Sequence, residues 1–282
     1  MKRLILRIIL CLSIFTGLCL ILYPTISNIV NALTNNSTIN GYNENIKSYN
    51  TESIELMHNE AKEYNKVIAD KYISENNANE IDILKSYNTI LNFGDGLMGY
   101  IEIPEINVNL PIYHGGDEDV LTKGAVHLEK TSLPVGGKST HAVISAHSGY
   151  PTQKFFDDID ELQNDSLIYI HSLNMTLTYK VYSTEVVDPD DSSKLNVIDS
   201  KDILSLVTCY PFGINSHRLL IHAERVYNSA ASIDEISSRK RTYDTSILLL
   251  IVILLFLAVF AFLAVKYIKH SKSKKALGGE NK

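Results

Sequence analysis

The chain has little of what marks several common protein classes. Its 282 residues include no tryptophan and only three cysteines, and its net charge is −6. A phosphate-binding surface usually shows a basic excess, so the charge argues against a nucleic-acid partner. The sequence has no glycine-rich phosphate loop, no paired cysteines and no His-x-x-x-His or acidic cluster with metal-ligand spacing. We therefore expect no cofactor and no metal.

Charged residues are almost missing from two long stretches near the chain ends. Met1-Lys2-Arg3 precedes an apolar run over residues 4–23 whose only charge is Arg7, and residues 247–265 are nineteen apolar residues in a row. Each run can cross a hydrocarbon core of ~30 Å at ~1.5 Å per residue. The sequence predicts an uncleaved signal anchor over 1–24 and a transmembrane helix over 246–266.

The distribution of lysine and arginine predicts the membrane orientation. Lys2 and Arg3 precede the first run and Arg7 lies near its start. The second run is followed closely by five lysines, Lys266, Lys269, Lys272, Lys274 and Lys275, the last four in the tail 267–282. Both termini are then expected in the cytoplasm and the middle of the chain outside the cell membrane. Arg239-Lys240-Arg241, in the tether 229–245, lies on the expected outer side. At the second span, five basic residues on the expected inner side therefore stand against three on the outer side.

Residues 25–93 are expected to form a linker and a helical extension. Residues 25–50 are rich in Asn, Ser and Thr, which favours a loosely ordered stalk. From Ser53, a candidate N-cap, apolar residues recur every three or four positions and predict a helix. The residues on its apolar face are Ile54, Met57, Ala61, Tyr64 and Ile68.

Residues 94–228 consist of short apolar runs separated by turn signals. This texture predicts a mainly β domain, a closed barrel or a sandwich. Residues 154–162 are the one candidate for a short helix between strands. The predicted strand-containing runs are 99–113, 141–147, 166–171, 175–187, 203–209 and 218–226.

The only cysteine outside the apolar ends, Cys209, stands at the end of the run 203–209. The turn-forming segment YPFGINSH follows, and Arg218 opens the next run. If the two runs pair as a hairpin, Cys209 and Arg218 lie side by side at a rim of the β domain. A thiolate is a nucleophile, and an arginine beside it can stabilise an oxyanion. A buried small apolar cysteine and a solvated arginine are the alternatives.

Acyl transfer by a thiolate also needs a proton donor, for which histidine is best suited. The chain has nine histidines. His147 ends an apolar run and precedes the turn Ser148-Gly149-Tyr150-Pro151, which repeats the placement of Cys209. Spacing alone does not separate His147 from His141 or His217.

These segments resemble the sortases, membrane-anchored cysteine transpeptidases of Gram-positive bacteria. SLVTC at 205–209 is similar to the family's Thr-Leu-x-Thr-Cys strand end, with Ser205 in place of the first threonine. SAHSGYP is similar to the segment around the family's histidine, and Arg218 matches an arginine nine residues after the cysteine. The similarity extends over about residues 94–227.

The resemblance implies a closed eight-stranded sortase-type β-barrel with His147, Cys209 and Arg218 as its catalytic residues. Cys209 would cleave a Leu-Pro-x-Thr-Gly (LPxTG) sorting signal between Thr and Gly through a thioacyl intermediate. The carboxy-terminal span and the long amino-terminal extension are similar to the class C, pilin-polymerising group. The implied partners are LPxTG-type surface proteins or pilins and an amine acceptor. Unlike many class C members, the chain has no Asp-Pro-aromatic lid tripeptide between residues 60 and 97.

Three other interpretations remain open at this point. The acceptor is either a pilin lysine or an amine of a peptidoglycan precursor, as in wall anchoring. A cysteine hydrolase would use the same three residues with water as the acceptor. The third is a non-enzymatic surface β-domain held by the two spans. If such a protein were itself a sortase substrate, it would need LPxTG just before its carboxy-terminal span, and SSRKRTYDT in that position does not contain it.

Overall fold

The computed structural model describes residues 2–73, 86–115 and 117–227, together with 253, 254 and 257. Two helices begin the chain, α1 (Lys2–Ser48) and α2 (Thr51–Ile73). The prediction of a loosely ordered stalk over 25–50 was wrong, because α1 continues without a break to Ser48. A stripe of buried side chains at spacings of four and three holds it against the rest of the protein. The stripe consists of Asn35, Ile39, Tyr42 and Ile46.

Helix α2 begins slightly earlier than the sequence predicts. Asn50, not Ser53, caps it, because Asn50 Oδ1 accepts a hydrogen bond of 2.7 Å from the backbone N–H of Ser53. This contact satisfies one of the free N–H groups of the first turn. The predicted apolar face is confirmed, since Ile54, Ala61, Tyr64 and Ile68 are buried and Met57 packs against the core.

Eight strands close into a barrel, which confirms the predicted closed eight-stranded β-barrel. The strands follow each other around the barrel in the order β1-β2-β3-β4-β7-β8-β6-β5. A short helix α3 (Glu118–Leu121) precedes β3, and the helix expected within 154–162 is only a 3₁₀ turn, Ile159–Glu161. The strands are β1 (Leu97–Ile103), β2 (Val108–His114), β3 (Ala125–His127), β4 (Thr140–Ser145), β5 (Leu167–Ser172), β6 (Met175–Val187), β7 (Asp202–Tyr210) and β8 (His217–Arg225).

Strand β7 lies between a parallel neighbour, β4, and an antiparallel neighbour, β8. Leu204 and Leu206 belong to the main apolar core, whereas Val207 belongs to a separate cluster that includes Leu195 of the β6–β7 segment. Both faces of the strand are therefore covered, which explains why 203–209 reads as a nearly continuous apolar run.

The structure shows one helix in the described residues that is long and apolar enough to cross a membrane, within α1 near the N-terminus. Large apolar side chains in this part of α1 are exposed, among them Leu12, Phe15 and Leu20. The predicted tether, second span and tail lie outside the described residues, apart from residues 253, 254 and 257.

Candidate active site

Cys209 lies near the end of β7, half-buried and with a free thiol. Its Cα is paired in register with that of Arg218 near the start of β8. The side chains of a directly opposed antiparallel pair project to the same face, so the Cys209 and Arg218 side chains leave the sheet side by side. This confirms the placement that the hairpin pattern predicts.

His147 leaves β4 on the other side of β7. The parallel register pairs Ser145 with Val207, and the N–H of Ala146 donates to the carbonyl of Val207 at 3.2 Å. Thr208 Oγ1 then donates to the carbonyl of Ala146 at 2.8 Å. These contacts continue the β4–β7 alignment to the level of Cys209. Three neighbouring strands thus bring the histidine, the cysteine and the arginine to one end of the barrel, the active-site rim.

The His147 ring is held between two aromatic side chains. The Tyr150 ring stacks on it with centroids 5.0 Å apart and planes 15° apart, and Phe155 makes an edge contact at 6.0 Å. The backbone N–H of Phe156 donates to the His147 carbonyl at 2.9 Å. His147 Nε2 is buried and has no hydrogen-bond partner in the described structure. The ring is therefore fixed in orientation while one nitrogen stays available for proton transfer.

The Arg218 guanidinium is tied to the loop that joins β7 to β8. Nη1 donates to the carbonyls of Asn215 at 3.3 Å and His217 at 3.0 Å. These bonds hold one end of the guanidinium against the β7–β8 loop, at the same end of the barrel as Cys209. A cation at this point can bind an oxyanion that forms on a carbonyl carbon attacked by sulfur.

The two other candidate histidines have different surroundings. His141 Nε2 and His222 Nδ1 each lie 2.6 Å from Ser205 Oγ, and His141 Nδ1 lies 2.8 Å from the carbonyl of Asn196. Burial lowers the pKa of His141 to about 4 and also lowers the pKa of His222. His217 is half-exposed, 3.7 Å from Asp188. Because His217 is adjacent to Arg218 on β8, its side chain projects to the opposite face.

Ser205 and the threonine that the sortase motif has at this position both carry a hydroxyl, and in this structure that hydroxyl has a structural role. The Asn196 carbonyl accepts the Nδ1–H of His141, so His141 Nε2 accepts the Ser205 hydroxyl proton. Ser205 Oγ then accepts from His222 Nδ1–H. This chain of hydrogen bonds ties β4, β7 and β8 to the β6–β7 segment.

The loop between β4 and β5 supports the site in a way that the sequence analysis missed. Helix α1 is hydrogen-bonded to the backbone of this loop, since Ser27 Oγ and Asn31 Nδ2 donate to the carbonyl of Thr152 at 2.5 and 2.7 Å. The N–H of Lys154 donates to Asn28 Oδ1 at 3.1 Å. The hydrogen-bonded loop residues, Thr152 and Lys154, lie between Tyr150 and Phe155, which contact the His147 ring. The polar positions in α1 were visible in the sequence, but nothing in their spacing indicates a partner more than 120 residues away.

Among the residues that the structure describes, no three His, Cys, Asp or Glu side chains are placed to share a metal ion.

A closed eight-stranded barrel with cysteine, histidine and arginine at one rim is the arrangement that the resemblance to sortases implies. The protein-family model that describes the sortase domain matches residues 101–226 of the sequence. The chain belongs to the sortase family.

Individual relatives agree with this assignment. The chain is 34% identical to sortase D of Bacillus subtilis (strain 168) over 131 residues, which are 45% of this chain and 63% of that protein. It thus spans slightly less than two thirds of the length of this relative. The sortase C of Clostridium perfringens, solved with the C-terminal cell wall sorting motif, is 42% identical, with a TM-score of 0.60 over 68% of this chain and 98% of that one. The sortase C of Streptococcus pneumoniae is 33% identical, also with a TM-score of 0.60, over 68% of this chain and 97% of that one.

Proposed function

We propose that the chain is a membrane-anchored cysteine transpeptidase. It cleaves an LPxTG-like sorting signal between Thr and Gly and transfers the new acyl end to an amine. The observation that carries the proposal is the pairing of Cys209 with Arg218 on adjacent strands, next to the strand end that presents His147. Cys209 is the nucleophile, His147 the acid and base, and Arg218 the ligand of the substrate carbonyl.

The first half-reaction forms a thioester. The Cys209 thiolate attacks the carbonyl carbon of the substrate threonine, and the carbonyl oxygen takes the negative charge beside the Arg218 guanidinium. His147 donates its proton to the nitrogen of the following glycine. The C–N bond then breaks, the glycine end leaves as an amine, and the threonine acyl group remains on sulfur.

The second half-reaction releases the acyl group to the acceptor. The incoming amine attacks the thioester carbon and gives a proton to His147, which is neutral after the first step. The C–S bond breaks and Cys209 returns to the thiolate. An amide replaces the original amide, so no external energy source is needed. If water replaces the amine, the same residues catalyse hydrolysis.

A pilin lysine is the acceptor that we propose, in pilus assembly. Support comes from the similarity to two sortase C structures, one described with its cell wall sorting motif and the other in terms of pilin substrate specificity. The alternative is wall anchoring, with the amine of a peptidoglycan precursor as acceptor. The two functions share the first half-reaction and differ only in the second.

The apolar start of α1 supports anchoring in the cell membrane. We propose that residues 1–24 form an uncleaved anchor, that 246–266 form a second span, and that the barrel lies outside the cell with both termini in the cytoplasm. The lysine-rich segment after residue 265 supports this orientation.

Intact mass spectrometry tests the assignment. The fragment 25–227, which contains the barrel and all its described contacts with both helices, is incubated with LPxTG peptides beside Cys209→Ala and Arg218→Ala variants. We expect a mass adduct equal to the Leu-Pro-x-Thr acyl group in the wild type, none in Cys209→Ala, and a much slower adduct in Arg218→Ala. Adding a lysine peptide with a blocked α-amine, or a peptidoglycan-type amine, then identifies the acceptor by which one discharges the adduct.

The thiol of the wild-type fragment is titrated in parallel with a small alkylating reagent. An unmodified mass together with a thiol that reacts with the reagent would count against the transpeptidase assignment. An unmodified mass together with an unreactive thiol would instead show that a segment of the chain covers Cys209, and peptide cleavage would then be measured after mild proteolysis.

A further inference from the structure

The contacts of α1 with the barrel follow the direction of the barrel axis. Ser27 and Asn31 bind the β4–β5 loop at the active-site rim. Further along the helix, Asn36 Oδ1 accepts a hydrogen bond from the Asn109 side chain on β2, and Tyr42 Oη accepts from the N–H of Leu173 in the β5–β6 turn.

The β5–β6 turn lies at the end of the barrel opposite the rim. Strand β6 pairs Val187 with Arg218 at the rim and Tyr179 with Arg225 further away, and it begins still further away at Met175. Helix α1 therefore runs from the rim toward the far end, and its apolar N-terminal part extends beyond the rim.

The length of α1 fixes the distance between this apolar part and the rim. The apolar run ends at Tyr23, so Ser27 follows by about 6 Å and Asn31 by about 12 Å along the helix axis, at ~1.5 Å per residue. A bilayer of about 40–45 Å with a hydrocarbon core of about 30 Å has a headgroup layer of about 5–8 Å on each side. The β4–β5 loop thus lies at or just above the headgroups when residues 4–23 span the core.

Two apolar side chains project from the same rim. Phe212 and Ile214, in the β7–β8 loop, are 64% and 72% exposed. We name this pair the apolar tip. The Phe212 ring packs on the β4–β5 loop, because a Cβ atom built on Gly149 would lie 3.3 Å from its ring carbons. The apolar tip is therefore next to the loop that α1 holds near the headgroups.

We propose that the active-site rim faces the membrane and that the apolar tip contacts the lipid surface. The inference rests on the proposed anchoring by residues 1–24. The occupant is lipid because the helix that carries the anchor is continuous with the helix that binds the rim. Exposed aromatic and aliphatic side chains at this height gain free energy by entering the interface. In the nearby β4–β5 loop Lys154 pairs with Asp158, and Asp157, Asp160 and Glu161 leave the loop net negative, so the contact is apolar and not an attraction to anionic lipid.

For the proposed reaction, this orientation means that the Cys209 thiol acts close to the bilayer. A sorting signal that lies just outside its own membrane span then reaches the thiol without being drawn away from the membrane. An acceptor that approaches from the far end of the barrel would have to pass around it.

Tryptophan fluorescence tests the inference directly, because the chain contains no tryptophan. Phe212→Trp and Ile214→Trp each place a single fluorophore in the apolar tip of the full chain. Phe15→Trp places one in the anchor, and Tyr49→Trp one at the far end of α1, about 39 Å beyond Tyr23. Each variant is reconstituted in phosphatidylcholine nanodiscs, with and without bromine on the acyl chains.

We expect brominated lipid to reduce the emission of Phe15→Trp, Phe212→Trp and Ile214→Trp by about two-fold and to leave Tyr49→Trp unchanged. Quenching of Phe15→Trp without quenching of either tip variant would overturn the inference and leave the anchor intact. In that case, strong quenching of the tip variants by aqueous iodide would show a surface open to protein partners. No quenching of Phe15→Trp would refute the anchor and the inference together. Formation of the thioacyl adduct in the tip variants verifies that the rim is folded.

Discussion

The buried histidine on β4 makes folding sensitive to acid. Burial lowers the pKa of His141 from 6.5 to about 4, and its ring accepts from Ser205 while it donates to Asn196. Between these values the unfolded chain binds a proton that the folded chain does not. The contribution of His141 to stability is therefore complete above pH 6.5 and is lost as the pH falls toward 4.

The magnitude follows from proton linkage. One pKa unit corresponds to about 1.4 kcal/mol, so a group shifted in this way costs about 2 kcal/mol of unfolding free energy between pH 7 and pH 4.5. We predict that the unfolding free energy of His141→Gln falls by about 2 kcal/mol less than that of the wild type between pH 7 and pH 4.5. The measurement is urea unfolding of the fragment 25–227 at both pH values. His127, whose pKa burial also lowers to about 4, is present in both proteins and cancels in the comparison.

Ser205→Ala is the matched control. It removes the hydroxyl between the two rings but leaves His141 buried, so it lowers stability at both pH values while keeping the wild-type pH dependence. If His141→Gln and the wild type lose the same free energy between pH 7 and 4.5, His141 does not cause the acid sensitivity and the linkage argument fails.

Three further perturbations test the site and its support. Arg218→Lys keeps the charge but loses the fork of donors, and it should slow thioacyl formation by about 10²-fold in adduct kinetics; a wild-type rate would reduce the role of Arg218 to charge alone. Tyr150→Leu removes the ring that stacks on His147 and should lower kcat and alter its pH profile with little change in KM, whereas an unchanged profile would make Tyr150 merely structural. Asn65 donates to and accepts from the backbone of Leu133 in a buried contact. Asn65→Ala should lower the unfolding free energy by about 2–4 kcal/mol in urea, and a loss within the error of the measurement would contradict this account.

Local patterns were sufficient to predict most of the barrel. The runs 175–187 and 203–209 fall on β6 and β7 within two residues, because apolar content and turn residues act over the same short distances as strand formation. The hairpin between β7 and β8 placed Cys209 opposite Arg218 for the same reason. Strand β3, with three residues, is too short to give such a pattern, and it forms only because β2 and β4 lie on either side.

The choice among histidines depends on contacts that spacing does not encode. His141 lies in β4 and His147 two residues after the end of that strand, and the two differ in the side chains and backbone that surround them. The His141 ring contacts Ser205 and the carbonyl of Asn196, both more than fifty residues away in sequence. The resemblance to the sortases, and not the spacing, selects His147.

Helix α1 explains why composition failed for residues 25–50. A free helix rich in Asn, Ser and Thr is unstable in water, since these side chains compete for backbone hydrogen bonds. In α1 the same side chains bind the barrel instead, Ser27 and Asn31 to the carbonyl of Thr152 and Asn36 to Asn109. Tertiary contacts thus stabilise a helix that propensity disfavours. A flexible stalk would leave residues 25–48 free to move relative to the barrel, whereas a helix bound at several levels fixes them against it.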